Sequence, residues 1–103
     1  MQILKDRNGR EIRLTDERLH HILEHPEMQG QESRITETLL TPNSIIASHH
    51  DATVHLYHKW YEETPVTRKY LVVMVKYLEQ DAFDITTFFT DKEKKGARIW
   101  TQR

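Results

Sequence analysis

Cysteine is absent from this chain of 103 residues, so no disulfide, thiolate nucleophile or thiolate metal ligand is available. That fits a reducing compartment, and a cytoplasmic location is expected. Glycine and proline are scarce, at three each. No Gly/Ser linker, repeat or low-complexity segment marks a boundary, and residues 1–103 read as one domain. Long apolar runs are missing too. The longest, Tyr70 to Val75, has the length of a buried strand and falls far short of the ~20 residues of a membrane helix. The opening Met-Gln-Ile-Leu-Lys-Asp-Arg has no apolar core of a secretory signal, so no membrane partner is expected. Nor does either sign of charge dominate: 15 basic residues against 16 acidic give a net charge of −1. This excludes a strongly basic nucleic-acid-coating protein and leaves any RNA affinity to a local patch.

Histidine is abundant, with seven in the chain. His21 and His25 stand one helical turn apart in a segment with clear punctuation. Thr15 is an N-cap, Asp16 and Glu17 suit the positive end of a helix, Leu19, Ile22 and Leu23 make an apolar stripe, and Pro26 ends the helix. Before it, residues 2–5 and 10–14 flank Asn8-Gly9, a strong hairpin signal. A second helix is expected over Glu32 to Leu40, facing inward through Ile35, Leu39 and Leu40. After Thr41-Pro42-Asn43 the period becomes two. Strands are expected near 44–48, 53–61, 68–78 and 82–90, with short connections that favour an antiparallel meander. Arg98-Ile99-Trp100 adds a final edge strand after the charged turn 91–97. The fold class is α+β, with two N-terminal helices packed on one face of a four- to five-stranded antiparallel sheet.

Alternation then assigns the faces. Leu71, Val73 and Val75, Phe83, Ile85 and Phe89, and Val54, Leu56 and Trp60 are expected to meet Leu19, Ile22, Leu23, Ile35 and Leu39 in the core. His55, Tyr57, Lys59, Tyr70, Lys76, Thr86 and Thr90 then fall on an uncovered opposite face, while His58 and Thr87 point inward against the pattern. Such groups suit RNA cleavage without a metal, in which a base takes the 2′-hydroxyl proton and cations hold the phosphate. His21 and His25 are the candidate bases, Lys59 and Lys76 the cations, and Thr86 and Thr90 the orienting hydroxyls. Arg18, His55, Tyr57, Tyr70 and Trp100 are candidate substrate contacts, the aromatic rings by stacking on bases. Lys92, Lys94 and Lys95 read as a solvated turn or a phosphate-steering loop. The run His21-Ile-Leu-Glu24-His25 also matches the H-x-x-E-H pattern of inverted zinc peptidases, but Pro26 truncates the helix and no second ligand-bearing helix follows.

Five stretches resemble one group of proteins. They are Thr-Asp-Glu-Arg-x-x-His-Ile-x-x-His-Pro-Glu (15–27), Leu-x-x-Pro-x-x-Ile (39–45), Tyr-Leu-Val-Val-x-Val-Lys (70–76), Ile-Thr-x-Phe-x-Thr (85–90) and Lys-Gly-x-x-Ile-Trp (95–100). The chain resembles the stand-alone phage and bacterial branch of the barnase–EndoU–colicin–RelE-like nuclease group. The resemblance implies helices packed on an antiparallel sheet whose open face cuts RNA without metal or other cofactor. It also implies a helix-borne His or acid, a strand-borne Lys or Arg and a late-strand Ser or Thr. In this chain these are His21 or His25, Lys59 or Lys76, and Thr86 or Thr90. An RNA substrate and an antitoxin or immunity protein are the implied partners, and the expected activity is an endoribonuclease leaving a 2′,3′-cyclic phosphate. The sequence pI near 6.6 departs from the basic character of ribosome-dependent toxins in this group. Two other readings are a RelE-like module that binds without cutting and a small zinc hydrolase through His21, Glu24 and His25.

Overall fold

The computed structural model describes residues 1–102. Strands β1 (Gln2–Lys5) and β2 (Glu11–Leu14) form the expected hairpin, with Gly9 at positive φ in its turn. Helix α1 spans Asp16–Leu23; the Thr15 hydroxyl accepts the Arg18 amide at 3.1 Å as its N-cap. A 3₁₀ turn, Pro26–Met28, follows, and Met28 is buried. Helix α2 spans Glu32–Leu40; Ile35 and Leu39 are buried while Leu40, expected inside, is exposed. Strands β3 (Ser44–Ser48), β4 (Val54–Tyr61), β5 (Lys69–Tyr77) and β6 (Ala82–Thr90) pair consecutively and antiparallel. Strand β7 (Gly96–Thr101) closes the chain.

The α+β class stands, but the sheet is larger than expected and is mixed. Its order is β1-β2-β6-β5-β4-β3-β7, with seven strands. Strand β2 meets β6 in parallel through the pair Arg13 and Phe83, joining the hairpin to the meander. Strand β7 does not extend the meander beside β6; it pairs antiparallel with β3 at the far edge. The connection 91–95 must therefore cross β5, β4 and β3. Four inter-strand steps of about 4.8 Å leave a five-residue link little slack, and the sheet's twist brings the two corners it joins closer together. We call this segment the strap.

Crossing of one face by the strap explains where the expected register goes wrong. Both faces are covered in part, so each carries apolar residues and alternation alone does not say which meets the helices. One cluster joins Ile22, Met28, Ile35 and Leu39 of the helical side to Leu71, Val73, Val75, Ile45 and Tyr57. A second gathers Ile46, Val54, Leu56 and Val72 on the other face, with Met74, Ile85 and Phe88 against it. Strand β4 is thus turned over relative to expectation. His55, Tyr57 and Lys59 lie on the helix side, and Val54, Leu56, His58 and Trp60 lie on the strap side. The reversal is tolerable because the inward tyrosines keep their hydroxyls bonded: Tyr57 to Tyr77 at 2.6 Å and Tyr61 to Glu37 at 2.6 Å. Strand β6 is corrected as well. A register shift pairs Val75 with Asp84 and Met74 with Thr86, so Ile85 bulges toward the strap side. Phe83, paired with Lys76, lies on that side also, and only Phe89 of the three expected residues packs on the helix-side core.

The strap ends at Gly96, where backbone approaches backbone. A Cβ at this position would collide with the Ala47 carbonyl oxygen and lie 2.7 Å from Ile46 Cγ2. Gly96→Ala is therefore expected to lower the unfolding free energy by about 1–3 kcal/mol, the cost of overpacking. Urea denaturation measures this, and an undiminished midpoint would show that the start of β7 has room to shift.

Candidate functional site

The fold does not bring the residues expected from the sequence into one hollow. His21 and His25 belong to the helical layer, and the sheet lies between them and the strap side. His21 Nδ1 sits 2.9 Å from a Glu24 carboxylate oxygen, both side chains being largely exposed. His25 is exposed where α1 gives way to the 3₁₀ turn. Lys59 is also on the helix side, where its ammonium donates to the Thr41 carbonyl at 2.7 Å and the Thr41 hydroxyl at 3.1 Å. It closes the C-terminus of α2, an interaction the helix dipole favours. His21, His25 and Lys59 are thus corrected from members of a shared site to separate features. Among the described residues no three His, Cys, Asp or Glu side chains gather as a metal site, so the His21-Glu24-His25 pattern finds no third ligand.

Three of the expected substrate contacts form a different cluster on the helix side. The Tyr77 hydroxyl donates to Asp6 at 2.9 Å and is 2.6 Å from the Tyr57 hydroxyl. Burial pushes the Tyr57 phenol up to about 12, and burial with the neighbouring Tyr57 raises Tyr77 further still. His55 packs its ring 4.7 Å from that of Tyr77. The Arg7 guanidinium lies 4.1 Å from the centroid of the Trp100 ring and occupies a face that base stacking would use. Asp6 also accepts the backbone amides of Asn8 and Arg10, each at 2.9 Å. These contacts fasten the β1–β2 turn to the sheet. Arg18, a fourth expected contact, acts on Asp84 from α1.

On the strap side the arrangement is different. A cavity of about 380 Å³ is floored by Leu56, Met74 and Phe88 and rimmed by Ser48, His49, His50, Lys94 and Lys95. Its volume falls in the range of small-ligand sites, ~300–1,000 Å³. Thr86 pairs with Met74 in the floor. Lys76, on the same face, is bound to Asp51 at 2.5 Å, and that lysine is the main reason the Asp51 carboxyl sits well below its ordinary value. At the other end of this face Tyr70 stands edge-on to Trp60, with centroids 4.9 Å apart and both rings half-exposed. Thr90 is near that end, its hydroxyl donating to the Lys92 carbonyl at 3.2 Å. The strap-side face therefore holds Lys76, Thr86, Thr90 and Tyr70 as expected, and adds His49, His50, Lys94 and Lys95.

The strap itself is pinned at several points. The Lys94 amide donates to His58 Nε2 at 3.0 Å, the Ser44 hydroxyl donates to Glu93, and Lys69 pairs with Asp91 at its start. Lys94 Nζ lies 5.2 Å from the centroid of Phe88. Among the described residues neither Lys94 nor Lys95 has a carboxylate partner. The sequence offered these lysines as a solvated turn or a phosphate-steering loop, but it did not show that the segment crosses the sheet or where it is attached, because those partners lie on other strands. Only the inward expectation for His58, at odds with its neighbours, hinted that something covers this face.

On the helix side, Asp84 is 2 % exposed, accepts the Thr87 hydroxyl at 3.1 Å, and has its second oxygen buried without a partner. Burial pushes its carboxyl from an ordinary 3.8 up to about 7. Between those values the native chain holds a proton that the unfolded chain releases, so this group's stabilisation is full at low pH and lost as pH rises through about 7. Asp84→Asn should raise the unfolding temperature at neutral and alkaline pH, by an increment that shrinks as pH falls from about 7 toward 3.8. Thermal melts across that range check this, and an unaltered pH dependence would show that the carboxyl is not the responsible group. No family model, curated protein or solved structure matches this chain.

Proposed function

We propose that the chain is an endoribonuclease that works without a metal on the strap-side face of its sheet. The observation that carries this reading is the cavity where His49, His50, Lys94 and Lys95 surround an apolar floor of Leu56, Met74 and Phe88. Imidazoles, unpaired ammonium groups and a ring surface are the groups such a cleavage uses. The five motif resemblances to the barnase–EndoU–colicin–RelE-like group support the same reaction.

In this mechanism the 2′-hydroxyl oxygen attacks the adjacent phosphorus while one imidazole, His49 or His50, takes its proton. Lys94 and Lys95 hold the non-bridging oxygens, and Thr86 orients the phosphate. The P–O5′ bond breaks, the other imidazole protonates the departing oxygen, and a 2′,3′-cyclic phosphate remains. Tyr70 and Trp60 offer ring faces to bases farther along the strand. Lys76, neutralised by Asp51, adds its charge when phosphate displaces that carboxylate. A nuclease of this kind inside a growing cell needs a neutralising partner, which fits the toxin of a toxin–antitoxin pair.

The test is incubation of varied RNAs with the protein in EDTA. Cleavage to cyclic-phosphate ends is expected, and Lys94→Ala with Lys95→Ala should slow it by about a hundredfold or more, as loss of anion-stabilising donors does. Intact RNA, together with normal growth of cells expressing the protein, would refute the reading. RNA bound by the parent but never cut would instead identify a binding module on the same face.

A further inference from the structure

We propose that His58 is a positioning residue. Its neutral imidazole holds the strap, and with it Lys94 and Lys95, over the cavity, and protonation lets the strap go at Lys94. The geometry fixes the tautomer. Nδ1 lies 3.1 Å from the Leu56 carbonyl oxygen, which only accepts, so Nδ1 carries the hydrogen. The Nε2 lone pair then receives the Lys94 amide at 3.0 Å. Both nitrogens are satisfied in the neutral ring, which is fully buried. A proton added at Nε2 would point at the Lys94 amide hydrogen. Two donors cannot share one bond, and an unpaired buried donor is costly to keep.

The surroundings of the ring decide when this happens. From the strap it faces Glu93 and Lys94, and from β7 it faces Arg98. From β5 the Tyr70 ring stands edge-on at 6.0 Å, and across on β3 the paired Ser44 donates its hydroxyl to Glu93. Burial opposes the imidazolium and weighs most; the Leu56 carbonyl and then Glu93 favour it, and Arg98 and Lys94 oppose it, so the ring protonates below the ordinary histidine value. The latch at Lys94 is accordingly closed at neutral pH and opens on the acid side, while Glu93 and Asp91 keep their own partners. Lys94 provides the link to the cavity, because its amide makes the latch and its ammonium lies against Phe88. Only the consequence for RNA rests on the ribonuclease reading, since the latch exists without substrate.

Amide NMR of the whole protein during an acid titration reads the latch directly. The Lys94 amide should move with the same midpoint as the His58 ring protons, while the β5 amides stay in place. In His58→Gln a side-chain carbonyl can accept the amide and has no proton to gain, so Lys94 should lose that titration yet keep its protection. In His58→Leu the acceptor is gone, and hydrogen exchange at Lys94 should quicken about fivefold at neutral pH, the equilibrium worth of one hydrogen bond. A Lys94 amide indifferent to His58 protonation, or one titrating in His58→Gln as in the parent, would overturn the proposal. Parent titration decides the matter even if a variant fails to fold. Failure to cut or bind RNA leaves a titrating latch intact, whereas RNA cleavage with an indifferent Lys94 removes the latch alone.

Discussion

The close approach of Gly96 to Ala47 is the contact on which the outer half of this structure depends. Strand β7 can sit beside β3 only if the chain first crosses three strands, and the link has five residues in which to do it. A side chain at the landing point would push β7 from its edge. With β7 in place, β3 becomes an interior strand, Trp100 packs on the helix-side core, and the crossing segment covers His58. Position 96 therefore fixes an edge of the sheet and the cover over one face together.

That coupling explains what was legible in the sequence. Helix α2 and strands β3 and β6 begin and end where their patterns say, because those patterns are local: a 3.6 period before Pro42 and a period of two after it. The faces were less legible. In β4, Val54, Leu56 and Trp60 look like core beside His55, Tyr57 and Lys59, and in an uncovered sheet they would face the helices. What reverses them is non-local. The strap supplies a second apolar layer, and partners at Tyr77, Glu37 and Thr41 satisfy the polar ends turned inward. No pattern within β4 records that its polar atoms will find partners 18 to 24 residues away. The candidate site suffered for the same reason: a misassigned β4 put His55, Tyr57 and Lys59 beside Lys76, when they lie across the sheet from it. Lys76 and Tyr70 were placed correctly because Leu71, Val73 and Val75 do meet the helical layer, and Thr86 and Thr90 alternate with Phe89 beyond the bulge that turns Phe83 and Ile85 over.

Two titratable groups are buried on opposite faces, and each is comfortable only when neutral. Asp84 loses its proton as pH climbs past about 7, leaving a charge beneath α1 with only Arg18 to offset it. His58 gains one as pH falls below its depressed range. The sign of linkage is opposite for the two: the carboxyl weakens the fold toward alkali and the imidazole toward acid. The window in which both are neutral is mildly acidic to neutral, and there the helical layer and the strap are both seated. The faces can respond separately, because the residues around Asp84 belong to α1 and β6 while those around His58 belong to the strap and to β3, β4, β5 and β7.

The lysines on the two faces of the sheet differ in how far their charges are already committed. Lys59 is committed to the end of α2 and Lys69 to Asp91. Lys76 is held by Asp51, which is itself fixed by the Thr53 amide at 2.9 Å and the Thr53 hydroxyl at 2.6 Å, so an arriving anion must compete with a preorganised carboxylate. Lys94 and Lys95 face no such competitor among the described residues, and they ride on a segment that His58 holds at the Lys94 amide, beside the bonds of Ser44 to Glu93 and Lys69 to Asp91. An anion bound there would add its own attraction to the latch, since charge drawn to Lys94 favours the seated strap. Binding and seating would then reinforce each other by the same free energy in both directions, and the strap would be more than a passive link between two strands.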